Sequence, residues 1–170
     1  MAEPGYLCLD DEALIEQCDV LRARGTGPGG QKRNKTESAV RLRHRPTGLT
    51  AQSDDSRSQH RNRATALLRL RRRLVLELRH PPELEGYQPS SALRAFLEQR
   101  GKVPGRRSGA DLPALAELLD VFVAHGCSVR DTASHLDISS GALSRLLLHD
   151  DDVGVRVNAL RAERGLRPLR

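Results

Sequence analysis

Gly29, Gly30 and Gln31 are the residues of this 170-residue chain whose types and spacing point most directly to chemistry. Two consecutive glycines permit positive φ and let the backbone approach a ligand closely, which side chains would prevent. The Gln31 amide donates and accepts hydrogen bonds but has no pKa suited to proton transfer. The tripeptide is therefore expected to position water and to stabilise an oxyanion, with most of the catalytic apparatus supplied by another molecule.

The segment that contains the tripeptide, GTGPGGQKRNKTES at residues 25–38, is followed by further basic sequence. Residues 21–80 hold sixteen basic and four acidic side chains, a net charge of +12, whereas residues 1–20 carry −6 and residues 81–170 are balanced. Because soluble surfaces usually mix both signs, this block favours a polyanionic partner. With two Phe, two Tyr and no Trp in the chain, stacking of bases on aromatic side chains cannot be the main binding mode.

A strand and a β-hairpin are predicted around this segment. Apolar and polar residues predict strands over residues 20–24, 38–44 and 49–53, and the turn sequence RPTG joins the last two. Asp10 or Asp11 can N-cap a short helix ahead of the first strand.

A long basic helix is predicted next. Ser56 and Gln59 form a capping-box pattern, and apolar spacing continues the helix to about Leu78, before Pro81 and Pro82. The apolar stripe is expected to pack on the hairpin, and the other faces are basic enough to meet phosphates. The arginines largely outside the stripe are Arg57, Arg61, Arg63, Arg69, Arg72 and Arg73.

The remainder of the chain is predicted to be all-helical. Residues 81–89, rich in Pro and Gly, indicate a linker between a domain at 1–80 and a domain at 90–170. Residues 128–148 have the organisation of a helix-turn-helix, with Asp137 in place of the usual turn glycine. The predicted fold class is α+β: a small β-sheet and hairpin domain with a long basic helix, followed by an all-α domain.

The partner of the helix-turn-helix segment is left open by the sequence. Its second helix offers few groups that could read bases, and the three aspartates at 150–152 would repel phosphate. Docking on a protein or on the first domain, binding to RNA or another nucleic acid, and sequence-specific DNA regulation are the alternatives.

No metal site, cofactor or membrane segment is expected. The three cysteines fit no CxxC or Cys/His spacing, and the six histidines do not pair with carboxylates or cysteines at ligand spacing. The chain opens with no charged-then-apolar leader and contains no apolar run of about 18 residues. These features predict a cytoplasmic protein.

The Gly-Gly-Gln segment, the PTG turn and the helix start SRSQHRNRATALLRL resemble, in order and spacing, the catalytic domain of class I peptide chain release factors and of related ribosome-rescue peptidyl-tRNA hydrolases. The resemblance covers about residues 8–80. It implies that Gly29, Gly30 and Gln31 enter the peptidyl-transferase centre of the large ribosomal subunit. There they would organise attack of water on the ester that joins a nascent peptide to tRNA, and Gln31 can be N-methylated in family members.

The same resemblance, together with the local charge, implies a set of contacts to ribosomal RNA. Lys32 and Arg33 depart from the commonest release-factor pattern, in which two consecutive basic residues are not usual, and they add charge beside the tripeptide. The residues expected to bind RNA are Lys32, Arg33, Asn34, Lys35, Arg57, Ser58, Gln59 and Arg61.

The kind of release activity is predicted to be codon-independent. No tripeptide of the stop-codon-reading Pro-x-Thr or Ser-Pro-Phe kind occurs, and only about twenty residues precede the first strand. The second half also differs from the basic, disordered tail of the rescue hydrolases, because it is charge-balanced and helical. The expectation is a monomer that rescues stalled ribosomes. The alternatives are a non-catalytic ribosome- or RNA-binding protein and a helix-turn-helix DNA-binding regulator.

Overall fold

The computed structural model of the chain describes residues 9–23, 38–98 and 109–170. It divides into two compact units, Met1–Leu74 and Val75–Arg170, and the boundary between them falls inside a long helix. Each unit is described by itself below.

The first unit is built on a three-stranded antiparallel sheet with the strand order β1-β2-β3. A short helix precedes the sheet and a long helix follows it. The elements are α1 (Asp11–Glu16), β1 (Cys18–Ala23), β2 (Ala39–His44), β3 (Thr50–Ser53) and α2 (Gln59–Glu77).

The central strand β2 shows the alternation from which it is predicted. Val40, Leu42 and His44 are buried, whereas Arg41 and Arg43 are exposed, because successive side chains of a strand point to opposite faces. The β2–β3 hairpin is therefore confirmed. The first strand begins two residues earlier than expected, at position 18, because its pairing with β2 extends to His44.

Helix α1 is capped as the sequence predicts, but helix α2 is not. The Asp10 side chain accepts a hydrogen bond from the Ala13 backbone N–H at 2.8 Å. In α2 the predicted capping box at Ser56 is wrong, because the helix begins at Gln59 and Ser58 Oγ accepts from the Arg61 N–H at 3.4 Å. Ser56 is held in the preceding turn instead.

The second unit is helical over the residues that the structure describes. It contains the last residues of α2 and five further helices, so the predicted α+β class, with its helix-turn-helix-like second part, is confirmed. These helices are α3 (Ser91–Glu98), α4 (Leu112–Ala124), α5 (Val129–His135), α6 (Ser140–Leu148) and α7 (Asp151–Ala162). The central helix is α4, eight of whose thirteen residues are buried.

The segment predicted as a linker is fastened to α4 on both sides. Before it, the His80 backbone N–H donates to Asp120 Oδ1 at 3.0 Å. At its other end, Glu117 Oε1 accepts from the Tyr87 hydroxyl at 2.5 Å and from the Ser90 N–H at 2.8 Å. The carboxylates of Glu117 and Asp120, three residues apart on α4, thus hold the segment between α2 and α3 at both of its ends.

The turn between α5 and α6 has the left-handed residue that the sequence predicts. Asp137 adopts a φ of 54°. Its N–H donates to the Ser134 carbonyl at 3.3 Å, and the Ile138 N–H donates to the Ala133 carbonyl at 3.0 Å. This pair of bonds is the Schellman pattern, in which glycine is the preferred left-handed residue.

Among the described residues no single helix is long and apolar enough to span a membrane; α4 and α5 reach that length and composition only together, across a bend of 119°. Within the same ranges, no group of three or more His, Cys, Asp or Glu side chains is placed to hold a metal ion. Cys18 and Cys127 are buried free thiols, and burial raises the pKa of each.

Candidate functional site

The Gly-Gly-Gln segment is attached to the sheet at one end of the β1–β2 pair. Ala23, the last residue of β1, faces Ala39, the first residue of β2, in the antiparallel register. The chain that connects them therefore leaves the sheet and returns to it at neighbouring positions. The predicted catalytic and loop residues lie outside the described residues: Gly29, Gly30, Gln31, Lys32, Arg33, Asn34 and Lys35.

The connection returns to the sheet at Ser38, where a buried side-chain amide binds the backbone. The sequence analysis did not predict this amide. Asn62 lies in the first turn of α2 and is fully buried. Its Nδ2 donates to the carbonyl of Ser38, the residue immediately before β2, at 2.7 Å. Its position was detectable in principle, because it lies four residues before the buried Ala66 and eight before the buried Leu70.

The same amide fixes the turn that leads into α2. Asn62 Nδ2 also donates to the Ser56 carbonyl at 2.6 Å, and Asn62 Oδ1 accepts from the Ser56 N–H at 2.8 Å. Ser53 Oγ, at the end of β3, is a weaker donor to Oδ1 at 3.4 Å. This one side chain thereby joins the start of β2, the end of β3 and the start of α2.

The predicted RNA-binding residues of α2 lie beside this buried amide. Arg57 and Arg61 are exposed, and their guanidinium groups make no hydrogen bond or ion pair with the residues that the structure describes. Arg63 is likewise exposed, and its guanidinium group makes no hydrogen bond or ion pair with the described residues. Ser58 is the capping residue of the helix, and Gln59 is its first residue and half-buried. Three cations without a partner among the described residues therefore lie at or near the start of α2, close in sequence to Asn62.

A second group of helix arginines is engaged within the unit. Arg69 Nη1 donates to the Gln52 carbonyl and Arg73 Nη1 to the Thr50 carbonyl, each at 2.7 Å. Gln52 and Thr50 belong to β3, whose outer edge has no strand partner among the residues that the structure describes. These two arginines, one helical turn apart, supply donors to an edge strand rather than leaving both free for phosphates.

Arg71, which interrupts the apolar stripe of α2, is also used internally. Its Nη2 donates to the Leu9 carbonyl at 2.7 Å and to Asp11 Oδ1 at 2.9 Å. The guanidinium thereby ties α2 to the start of α1. The basic face predicted from composition is thus divided into arginines that hold the unit together and arginines that bind nothing in the described part of the chain.

Two further exposed cations were not singled out from the sequence. Arg41 and Arg43 project from the exposed face of β2, and no hydrogen bond or ion pair of their side chains is found within the described parts of the chain. Their signal was the strand alternation itself, which places them opposite Val40 and Leu42. They add positive charge to the same unit.

The buried histidine of β2 has no catalytic geometry. His44 Nδ1 lies 2.9 Å from Thr47 Oγ1, and Nε2 lies 3.1 Å from Gln17 Oε1. Burial lowers the pKa of His44, and the neighbouring Arg45 lowers it further. A neutral ring suits this position, because Nε2–H can donate to Gln17 while Nδ1 accepts from the Thr47 hydroxyl.

The second unit offers an open groove of about 1140 Å³ beside the helix-turn-helix. Its lining combines apolar side chains of α6 with three cations, Arg94, Arg145 and Arg170, and two anions, Glu98 and Asp137. Its mixed charge favours no single class of partner.

Comparison with known proteins finds a family match that covers most of the first unit and the beginning of the second. Residues 13–95 match the RF-1 domain, a range that contains the Gly-Gly-Gln tripeptide, Asn62 and the exposed arginines of α2. Over these residues the chain is similar to the RF-1 domain. The resemblance read from the motifs is thereby confirmed.

Several relatives are similar over parts of this chain. Peptide chain release factor 1 of Erythrobacter litoralis is 37% identical over 121 residues, which are 65% of this chain and 33% of that protein. Peptide chain release factor 2 of Buchnera aphidicola is 32% identical over 149 residues, covering 74% and 38%. Peptide chain release factor 2 of Campylobacter concisus is 51% identical over 72 residues, covering 41% and 20%. The chain spans about a third of the length of the first relatives that it matches.

Proposed function

We propose that this chain hydrolyses the ester of peptidyl-tRNA on the ribosome, without reading a codon, and so releases peptides from stalled complexes in the cytoplasm. The observation that carries the proposal is the RF-1 domain match across residues 13–95, which contains an intact Gly29-Gly30-Gln31 tripeptide. The relatives at partial coverage are named peptide chain release factors.

The chemistry suits a tripeptide that cannot itself act as a base. Gly29 and Gly30 allow the backbone to enter a crowded site, and the Gln31 backbone N–H can stabilise the developing oxyanion while water attacks the ester carbon. Peptide acid and tRNA with a free ribose hydroxyl are the products. The peptidyl-transferase centre would supply the rest of the catalytic environment.

Binding to the ribosome is assigned to the free cations. Arg57, Arg61 and Arg63 are exposed, make no side-chain hydrogen bond or ion pair with the described residues, and lie within five positions of Asn62, which binds Ser38; they would bind phosphates of the large-subunit RNA. Lys32, Arg33, Asn34 and Lys35 would extend this contact, and Ser58 and Gln59 would take part at the helix start. This assignment is supported by the lack of hydrogen bonds between the three guanidinium groups and the residues of the unit that the structure describes.

The codon-independent part of the proposal is supported by two features. No Pro-x-Thr or Ser-Pro-Phe tripeptide occurs in these 170 residues. The described residues after the RF-1 match form helices with a helix-turn-helix arrangement, which suits recognition of a ribosomal state or a partner.

The test measures peptide release from purified stalled ribosomes that carry labelled peptidyl-tRNA. The native chain is compared with Gln31→Ala and Gly30→Ala, and with Gln52→Ala as a control of the same type on the exposed side of β3. The proposal expects release by the native chain and by Gln52→Ala, and little release by the other two. If the native chain releases no more peptide than background, hydrolysis is rejected and the non-catalytic RNA-binding alternative is favoured.

The codon requirement is tested with three ribosome preparations. Their decoding sites hold a stop codon, a sense codon or no messenger. Similar release from at least one preparation without a stop codon supports codon independence, whereas release only at a stop codon would overturn it.

A further inference from the structure

We infer that Asn62 is a positioning residue for the Gly-Gly-Gln segment, because its buried amide fixes the backbone where that segment rejoins the sheet. The inference rests on the proposed function. Asn62 acts through Ser38 and touches no reacting group.

The hydrogen bonds of this amide are fully used and allow only one orientation. The two Nδ2 hydrogens go to the carbonyls of Ser38 and Ser56, at 2.7 and 2.6 Å. Oδ1 accepts from the Ser56 N–H at 2.8 Å and from the Ser53 hydroxyl at 3.4 Å. A flipped amide would face two carbonyls with its oxygen, so the network itself fixes the side chain.

The strongest partners of Asn62 are backbone groups, so the side chains of Ser38 and Ser56 are not needed for these bonds. The requirement falls on position 62 alone, which must present two donors and an acceptor in one plane. Aspartate has a similar shape but no donors when ionised, and it would face two carbonyls without any solvent. Asn62→Asp is therefore a change of hydrogen-bonding pattern at nearly constant volume.

The location of the Ser38 carbonyl gives this network a functional consequence. Ser38 is buried, directly precedes β2, and lies seven residues after Gln31. The other flank of the segment ends at Ala23, which is held by pairing with Ala39. Loss of the Asn62 bond would release the Ser38 carbonyl, one residue beyond that pairing on the returning flank, and so weaken one anchor of the segment that carries the tripeptide. Catalytic groups must be held close to their productive geometry, so we expect the catalytic rate to depend on this anchor.

The same side chain also links the anchor to the proposed RNA contacts. Asn62 stands between Arg61 and Arg63, whose guanidinium groups have no partner within the described ranges, and its own amide is buried in the unit. One helical turn would thus hold both the Ser38 carbonyl, through Asn62, and a phosphate, through the two arginines. Binding at the helix start and placement of the tripeptide are mechanically connected.

The experiment measures single-turnover peptide release by the full chain at increasing concentrations, which separates the saturating rate from the half-saturating concentration. Asn62→Asp is compared with Ser38→Ala, which keeps the backbone carbonyl, and with Ser53→Ala, which removes only the longest bond. Asn62→Asp is expected to lower the saturating rate by about 10- to 100-fold with a similar half-saturating concentration, and the two serine variants to stay within about threefold of the native chain.

Two further measurements separate positioning from simple loss of the fold. Circular dichroism melting gives the folded fraction of each variant at the assay temperature, and Asn62→Ser provides a second, smaller change. Hydrogen exchange is expected to rise in Asn62→Asp near residue 38 and the start of α2, while α4 in the second unit keeps its protection.

The outcomes are distinguishable. No release by the native chain rejects the proposed function. Release by the native chain with an unchanged saturating rate in Asn62→Asp overturns the positioning role alone. A loss of release that follows the unfolded fraction in both Asn62 variants also overturns it, since the role would then be structural.

Discussion

Arg79 and Asp120 form an ion pair with a distance of 2.7 Å between Nη1 and Oδ1, and only 10% and 14% of their side chains are exposed. Burial raises the pKa of Asp120 despite the attraction of Arg79, and burial lowers the pKa of Arg79. In both groups, therefore, the loss of hydration outweighs the pairing. Such a pair positions the chain after α2 more than it stabilises the fold.

Removing one partner of this pair is expected to destabilise the chain more than removing both. Asp120→Leu leaves the Arg79 charge buried and unpaired, and the free energy of unfolding should fall by about 3 kcal/mol. Arg79→Met combined with Asp120→Leu should recover at least about 1 kcal/mol of that loss, although the His80 N–H still loses its acceptor. Urea unfolding of the three proteins checks this; a double variant less stable than Asp120→Leu would contradict it.

The two groups of α2 arginines should respond differently to removal. Arg73→Ala takes a donor from the Thr50 carbonyl and should lower the free energy of unfolding by about 0.5–1 kcal/mol. Arg61→Ala removes an exposed cation without a side-chain partner in the described unit, and stability should be unchanged. Urea unfolding of both variants, matched in residue type and helix, provides the comparison.

Ribosome binding should show the opposite order. If the Arg61 guanidinium contacts a phosphate, Arg61→Ala should weaken binding and reduce the slope of log affinity against log salt by about 1. Arg73→Ala should change that slope less. Affinity would be measured by co-sedimentation over a series of salt concentrations, and equal slopes for Arg61→Ala and the native chain would argue against this contact.

Stability should fall on acidification below the ordinary histidine range. Since burial lowers the pKa of His44 in the folded state, the unfolded chain binds its proton more readily below about pH 6.5. The contribution of neutral His44 to the free energy of unfolding is therefore fully present above that pH, and it declines as the pH falls towards the pKa of the folded state. The pKa of His125 is also lowered, chiefly by burial, and acts with the same sign.

Unfolding of the native chain and of His44→Gln at pH 7.5 and 5.5 tests the His44 contribution. His44→Gln keeps a polar group that can bond Thr47 or Gln17 but removes the titration, so its loss of stability between the two pH values should be smaller. His60→Gln, at an exposed position of α2, is the control. An identical pH response in the native chain and His44→Gln would refute the assignment.

Local patterns predicted the framework of the site because their causes are local. Val40 and Leu42 alternate with Arg41 and Arg43, and this spacing alone fixes a half-buried strand. Asp10 caps α1 with an N–H only three residues away. In each case the partner lies within a few positions of the residue that predicts it.

The missed features depend on partners distant in sequence. The sequence predicts Ser56 as a helix cap, whereas in the structure its backbone N–H binds Asn62 Oδ1 in the turn before the helix. The bond from Asn62 to the Ser38 carbonyl spans 24 positions. Likewise, no periodicity reveals that Arg73 will meet the edge carbonyl of Thr50, 23 positions away. Hydrophobic spacing shows which face of a helix is buried, but not which exposed cations the fold uses for itself.

The left-handed turn of the helix-turn-helix offers a stabilising substitution. Asp137 is exposed and has a φ of 54°, a conformation that costs a side chain free energy and costs glycine almost none. Asp137→Gly should therefore raise the free energy of unfolding by about 0.5–1 kcal/mol, after allowing for the greater freedom of glycine in the unfolded chain. Urea unfolding measures the change, and Asp131→Gly, placed in the helical first turn of α5, is the control that should destabilise. If Asp137→Gly lowers the free energy of unfolding, the aspartate side chain stabilises the fold by more than its left-handed backbone conformation costs.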